Sequence, residues 1–153
     1  AKQIGKLLVA PGTPHGRRAI DELSPSGIEC QAYDAPIEDW KEEMFHDIPA
    51  SLTIARSAIA ETGTLMLLSG PETPATVSLL PETHIARVDV SRIVATMEDA
   101  FALLRAEHGS LPRAVNFISG PSRTGDIEQT IVLGAHGPCR VHLILVGADA
   151  VKP

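Results

Sequence analysis

Two largely apolar runs, Ala114 to Ile118 and Val141 to Val146, restrict this chain more than any other feature of it. Short runs of this kind, bounded by turn residues, read as buried strands. Between them lie a small-residue loop, Gly120-Pro121-Ser122-Arg123-Thr124-Gly125, and a stretch with helix signals. Asp126 is a favourable N-cap, and Gln129 stands three places on, where a capping box puts its second member. Ile127, Ile131 and Val132 supply an apolar stripe, Gly134 stops the helix, and His136-Gly137-Pro138 turns the chain. The pattern predicts strand, loop, helix, turn, strand: a parallel pair joined by a right-handed crossover.

Chemistry is expected in that loop. Open parallel sheets bind ligands beyond the carboxyl ends of their strands. A loop running into a helix start offers free N–H groups and the positive end of a dipole. Arg123 adds a fixed charge, and Ser122 and Thr124 add hydroxyls, so the loop suits a carboxylate or a phosphate. The competing reading is a capped turn with a surface arginine.

The rest of the chain repeats the alternation. Leu7 to Ala10 reads as a strand closed by Pro11-Gly12, Gly16 to Leu23 as a helix, and Gly27 to Tyr33 as a second strand. Ile37, Trp40 and Met44 fall at helical spacing, so Pro36 to Phe45 is expected to be an amphipathic helix with an acidic solvated face. Ser51 to Ala55, Thr64 to Leu68 and Thr83 to Val90 read as strands, with one or two helical turns in Thr73 to Leu80. Ser91 is the expected N-cap of a helix carrying Ile93, Met97, Phe101 and Leu104 and ended by Gly109 and Pro112. Such alternation gives an α/β domain with a mainly parallel sheet covered on both faces. At 153 residues one domain is expected.

Composition removes several classes of function. Thirteen Lys and Arg against 19 Asp and Glu give a net charge of −6, which argues against nucleic acid or an anionic membrane as a partner. No run approaches the ~20 apolar residues of a membrane helix. The first residue is Ala rather than Met, so a native start upstream is expected. Cys30 and Cys139 are the two cysteines, with no Cys-x-x-Cys, so the chain cannot build a zinc or iron–sulfur centre alone. Two lone thiols fit a reducing cytoplasm.

The same loop also carries a resemblance. Gly120-Pro121-Ser122-Arg123-Thr124, Asp126-Ile127-Glu128, His136-Gly137-Pro138 and Val141-His142 resemble the signature of the LUD domain family, which includes lactate-utilisation protein C. A second block agrees with it: Ala60-Glu61-Thr62-Gly63-Thr64, Ser69-Gly70-Pro71, Ser78-Leu79-Leu80-Pro81 and His84. The resemblance spans Ala58 to Val146, while Ala1 to Pro49 match poorly. It implies a three-layer α/β/α sandwich similar to the sugar-phosphate isomerase and coenzyme A transferase superfamily. It also implies an accessory role in oxidising lactate to pyruvate. That oxidation removes two electrons, which need a redox cofactor. No dinucleotide fingerprint or cysteine cluster is present, so no cofactor is expected in this chain, and iron–sulfur partner proteins are expected to carry the electrons. Its own ligand would be a small anion; a homo-oligomer is compatible with the sequence. The alternative is a stand-alone transferase or isomerase acting on a phosphorylated or coenzyme A-linked small acid. A module that only organises a complex is the third reading.

Glu61 lies among small apolar residues and is expected to be partly buried, which raises a carboxyl pKa and suits a general base or nucleophile. The competing reading is a turn glutamate bonded to nearby hydroxyls. His136 is the second catalytic candidate, with a turn role as its rival. Thr62, Gly63, Thr64, Ser69, Gly70, His84, Gly120, Ser122, Arg123, Thr124, Asp126 and Glu128 are the candidate ligand-binding residues. No metal site is expected. His142 reads as a packed strand residue, and His15, His46 and His108 as surface residues. The central expectation is that Glu61 and Arg123 converge on one hollow at the carboxyl rim of the sheet.

Overall fold

A computed structural model describes residues 4–10, 12–34, 36, 39, 42, 46–70, 73–109, 112–127, 130–134 and 136–147, with backbone alone for 125–127, 130 and 131. The amphipathic helix expected over Pro36 to Phe45 falls mostly outside these residues.

Five strands form a fully parallel sheet: β1 (Lys6–Val9), β2 (Glu29–Ala32), β3 (Ala50–Ile54), β6 (Thr83–Asp89) and β11 (Arg140–Val146), in the order β11-β6-β3-β1-β2. Four more form a mixed sheet, β7-β4-β5-β8, from β4 (Ser57–Ile59), β5 (Thr64–Ser69), β7 (Ile93–Val94) and β8 (Ala114–Ile118). A hairpin, β9 (Arg123–Ile127) with β10 (Thr130–Leu133), completes the strands.

The layers follow from which side chains alternate to which face. One face of the parallel sheet presents Leu7, Val9, Ala50, Leu52 and Ile85 to α1 (Pro14–Leu23), through Ala19, Ile20 and Leu23. Thr13 caps α1 by accepting from Gly16 N at 3.0 Å, and Pro14 suits its first turn. Leu8 on the opposite face packs on Val77 of α2 (Ala75–Leu79). On that face too, Ala86 and Val88 meet Leu65, Leu67 and Ile118 of the mixed sheet. The far side of the mixed sheet, Ile59 and Met66, is closed by Ala100 and Leu104 of α3 (Met97–Glu107). Over β1, β3 and β6 the parallel sheet is thus covered on both faces, while successive residues of β11 stay exposed, short of the full cover expected. On one of those faces the cover is α2 together with a second sheet, where the three-layer expectation has helices.

Four expectations are corrected here. No helix follows the Ser122-Arg123 loop: residues 123–127 and 130–133 form the β9–β10 hairpin, and Asp126 sits in a strand rather than at an N-cap. Thr124, Ile127, Thr130, Ile131 and Val132 are rich in β-branched residues, which favour strands. Consequently Ala114–Ile118 and Val141–Val146 are not a parallel pair: β8 pairs antiparallel with β5, and β11 pairs with β6. Likewise, α3 starts at Met97 and not after Ser91. Thr96 and Asp99 form a full capping box there, while Ser91 lies in a 3-10 turn and Ile93 in β7. Finally, His142 is exposed, because β11 is an edge strand whose Leu143, Ile144 and Leu145 are also exposed.

Candidate functional site

The chain leaves β8 through Ser119 and Gly120, the latter at φ +126, and enters β9 at Arg123. After β10 it turns back at Gly134, at φ +81, through His136-Gly137-Pro138 into β11. Ser122 ties the two passes together. Its N–H donates to Pro138 O at 2.8 Å, its carbonyl accepts from Gly134 N at 3.0 Å, and its Oγ accepts from His136 N at 3.2 Å. The result is a hollow of about 360 Å³ lined by Leu79, Phe117, Ser119, Ser122, Arg123 and His136, among others. Arg123 and His136 are both exposed, and Arg123 has no ion pair among the described residues.

Glu61 sits in the exposed turn 60–63 between β4 and β5, which needs Gly63 at φ +64. Its expected partial burial is not found: the residue is exposed, and among the described residues only its backbone N–H is engaged, on Ala95 O at 3.2 Å. Glu61 does not line the hollow. A hydroxyl chain connects its turn to it: Thr62 Oγ1 is 2.7 Å from Thr64 Oγ1, itself 2.7 Å from Ser119 Oγ. The hollow lies where β11 begins and α2 ends, so it is on the amino side of the parallel strands and not at their carboxyl rim.

The structure therefore gathers Gly120, Ser122, Arg123 and His136, with Thr62 and Thr64 linked at the edge. Thr124 is half-buried in β9. The side chain of Asp126 and the whole of Glu128 lie outside the described residues. Ser69, Gly70 and His84 belong elsewhere. Ser69 ends β5 at a different cavity, Gly70 bridges to Thr73, and His84 is fully buried on β6. Burial pushes the His84 pKa down to about 4, so the ring is neutral.

That second cavity was not anticipated. It measures about 50 Å³, beyond the ends of β1 and β3, between Thr13 and Gly16 of α1, Leu52, Thr53 and Ile54 of β3, and Val77 of α2. Ser69 and Asn116 also line it. It shares Ile54, Leu68 and Thr73 with an open pocket of about 340 Å³ holding Arg56, Arg92 and Asp89. Both guanidiniums bond to Glu107, and Arg92 foremost, then Arg56, pull its carboxyl pKa down to about 2. The available signal was Thr53 and Asn116, polar residues inside otherwise apolar strands.

Among the described residues no group of three His, Cys, Asp or Glu side chains could hold a metal, and Cys30 and Cys139 are free thiols. Among them, no helix is long and apolar enough to cross a membrane.

The chain was compared with known proteins. The sequence model of the LUD domain matches residues 3–146. An uncharacterized protein of Neisseria meningitidis is 38% identical over 152 residues, covering 99% of this chain and 65% of that one. Lactate utilization protein C of Geobacillus is 43% identical over 129 residues, covering 82% and 54%, and that of Bacillus subtilis is 41% identical over 98 residues, covering 62% and 41%. The chain thus spans between about two fifths and two thirds of these relatives' length. A DUF162 family protein from Deinococcus radiodurans, known from a crystal structure, has the same fold, with a TM-score of 0.65 at 24% identity over 95% of this chain and 77% of that one.

Proposed function

The chain belongs to the LUD domain family, and from that premise we propose that it is a small-carboxylate-binding component of a lactate utilisation system. The observation that carries this is Arg123, a guanidinium with no ion pair among the described residues, facing a hollow with hydroxyls and His136. A permanently charged fork with five donors matches a carboxylate. The name of relatives at about 40% identity, lactate utilization protein C, supports lactate as the acid. Oxidation of lactate sends two electrons to a redox cofactor, which this reading assigns to iron–sulfur partner chains. Within the hollow, Arg123 holds the anion and His136 exchanges a proton with it.

The test is ligand-induced thermal stabilisation of the purified chain by lactate and pyruvate, since specific binding raises apparent stability. Stabilisation that disappears in Arg123→Ala supports the reading. An unchanged melting temperature with both acids, in the wild-type chain, removes it. Activity of the chain alone on acyl or phosphoryl substrates, lost in Glu61→Gln, would favour the transferase alternative instead. The exposed position of Glu61 outside the hollow gives that alternative no geometric support.

A further inference from the structure

We infer that the cavity beyond β3 is a second ligand site, built to receive the acceptor oxygen of a short-chain organic acid or ketone on the hydroxyls of Thr53 and Ser69. Ser69 Oγ accepts from Asn116 Nδ2 at 2.7 Å, and among the described residues its own proton has no acceptor. Thr53 Oγ1 lies 2.6 Å from Nε2 of His84. His84 is fully buried, and its Nδ1 has no partner among the described residues. A neutral ring carries one proton. On Nδ1 that proton would make a buried donor without an acceptor; on Nε2 it is donated to Thr53, and only an acceptor is left over. The second arrangement costs less, because orphaned buried N–H groups are rarer than under-satisfied acceptors. Thr53 then keeps its own proton to give.

The other hydroxyls of the cavity are spent. Thr73 Oγ1 donates to Leu68 O at 3.1 Å, Ser78 Oγ to Ala75 O at 2.8 Å, and Thr13 Oγ1 to Ala10 O at 2.9 Å. Two oriented donors therefore stand among apolar walls formed by Leu52, Ile54, Leu67 and Val77. That pattern suits an acceptor oxygen on a short apolar body and disfavours an ammonium, which has no lone pair to offer. A cavity of about 50 Å³ admits roughly three to five water-sized groups, which sets the length. The position, past the carboxyl ends of β1 and β3, is where open parallel sheets take ligands. The site shares no residue with the Arg123 hollow, so it stands or falls independently of the function proposed above.

The test is an NMR titration of the full chain, following the methyl groups of Leu67 and Val77, with propionate, 2-butanone and n-butylammonium as probes. Propionate or 2-butanone is expected to give saturable shifts, the stronger of the two telling carboxylate from ketone, and n-butylammonium none. Ser69→Ala and Thr53→Val are each expected to weaken the better probe about fivefold, the worth of one hydrogen bond, while Arg123→Ala leaves it unchanged. Thr53→Val strips His84 of its partner and risks the fold; Ser69→Ala alters a half-buried hydroxyl and decides alone if need be. Shifts that never saturate, n-butylammonium binding as well as propionate, or an unchanged affinity in Ser69→Ala would each overturn the inference.

Discussion

Thr64 Oγ1 and Ser119 Oγ stand 2.7 Å apart, although 55 residues separate them in sequence. Thr64 opens β5 and Ser119 follows β8, so this hydroxyl pair closes one end of the antiparallel ladder between those strands. It also fixes the Glu61 turn against the rim of the Arg123 hollow. The two sequence blocks that most resemble the LUD signature are thus neighbours in space, joined by hydroxyls rather than by charges.

Thr64→Val should measure that link. Thr64 is buried, while Thr62 and Ser119 are exposed and can turn to water once it is gone. The expected loss is about 1 kcal/mol, the usual net worth of one hydrogen bond. Thr62→Val, on the exposed side of the chain of hydroxyls, should stay within about 0.5 kcal/mol of wild type. Urea unfolding of both variants at neutral pH checks this, and equal effects would mean that the buried link carries no stability.

His84 makes stability depend on pH in a defined window. Its folded pKa is about 4, held below the unfolded 6.5 by burial. Below 6.5 the unfolded chain binds a proton that the folded chain refuses, so the contribution is complete above pH 6.5 and declines as the pH falls towards 4. The full drop corresponds to about 3 kcal/mol. Denaturation midpoints between pH 7.5 and 4.5 should fall in wild type and flatten over this range in His84→Gln. A parallel slope in the variant would assign the effect to other groups.

Glu107 acts in a lower window. Arg92 and Arg56 depress its pKa from 4.5 to about 2, so its contribution is present above pH 4.5 and is lost as the pH falls towards 2. Because Glu107 ends α3 while Arg56 and Arg92 flank β4 and β7, the loss should loosen α3 against the mixed sheet first. The protection factors of α3, corrected for the intrinsic exchange rate, are expected to fall at pH 3 in wild type and to be already lowered at pH 6 in Glu107→Gln. Unchanged protection of α3 in that variant would show the clamp to be dispensable.

Most strands were legible in the sequence because their apolar runs are bounded by Gly and Pro: Lys6–Val9, Thr64–Ser69, Thr83–Asp89 and Arg140–Val146 all lie within a residue or two of where the pattern puts them. The misread stretch is instructive. Ile127 and Ile131 lie four apart, and an Asp three places before a Gln imitates a helix start, so local chemistry fits two structures. The hairpin is chosen by pairing between Arg123 and Leu133, which a local pattern cannot register. At α3 the opposite holds: Thr96 and Asp99 carried the true signal, three residues apart, and Ser91 drew attention only because Ile93 extended the apolar spacing. The hollow was half legible. Its loop residues were identifiable by type, but the burial of Glu61 was inferred from the small residues around it, and a turn at a sheet edge exposes its side chains whatever their neighbours. The Thr53 cavity was illegible, since it needs β3, β5, β8, α1 and α2 to meet.

Gly16→Ala tests how tightly α1 is seated over that cavity. A Cβ on Gly16 would fall 2.0 Å from Ala10 O and 2.8 Å from Ala10 C, backbone atoms that cannot swing aside. The helix start would have to move, stretching the bond from Gly16 N to Thr13 Oγ1 and lifting Ala19 from Leu7 and Val9. Helix propensity favours Ala by roughly 1 kcal/mol, so the direction depends on the clash outweighing that gain. A contact this short on backbone should win, with a net loss of about 2 kcal/mol or a melting temperature lower by about 4–8 °C. Gly5→Ala is the matched control: nothing lies within 4 Å of its added Cβ, and reduced freedom of the unfolded chain should leave it neutral or slightly stabilising. Calorimetric scans of the two variants decide the matter. A Gly16→Ala protein as stable as Gly5→Ala would mean that α1 rides higher on the sheet than described, and that the roof of the Thr53 cavity is correspondingly loose.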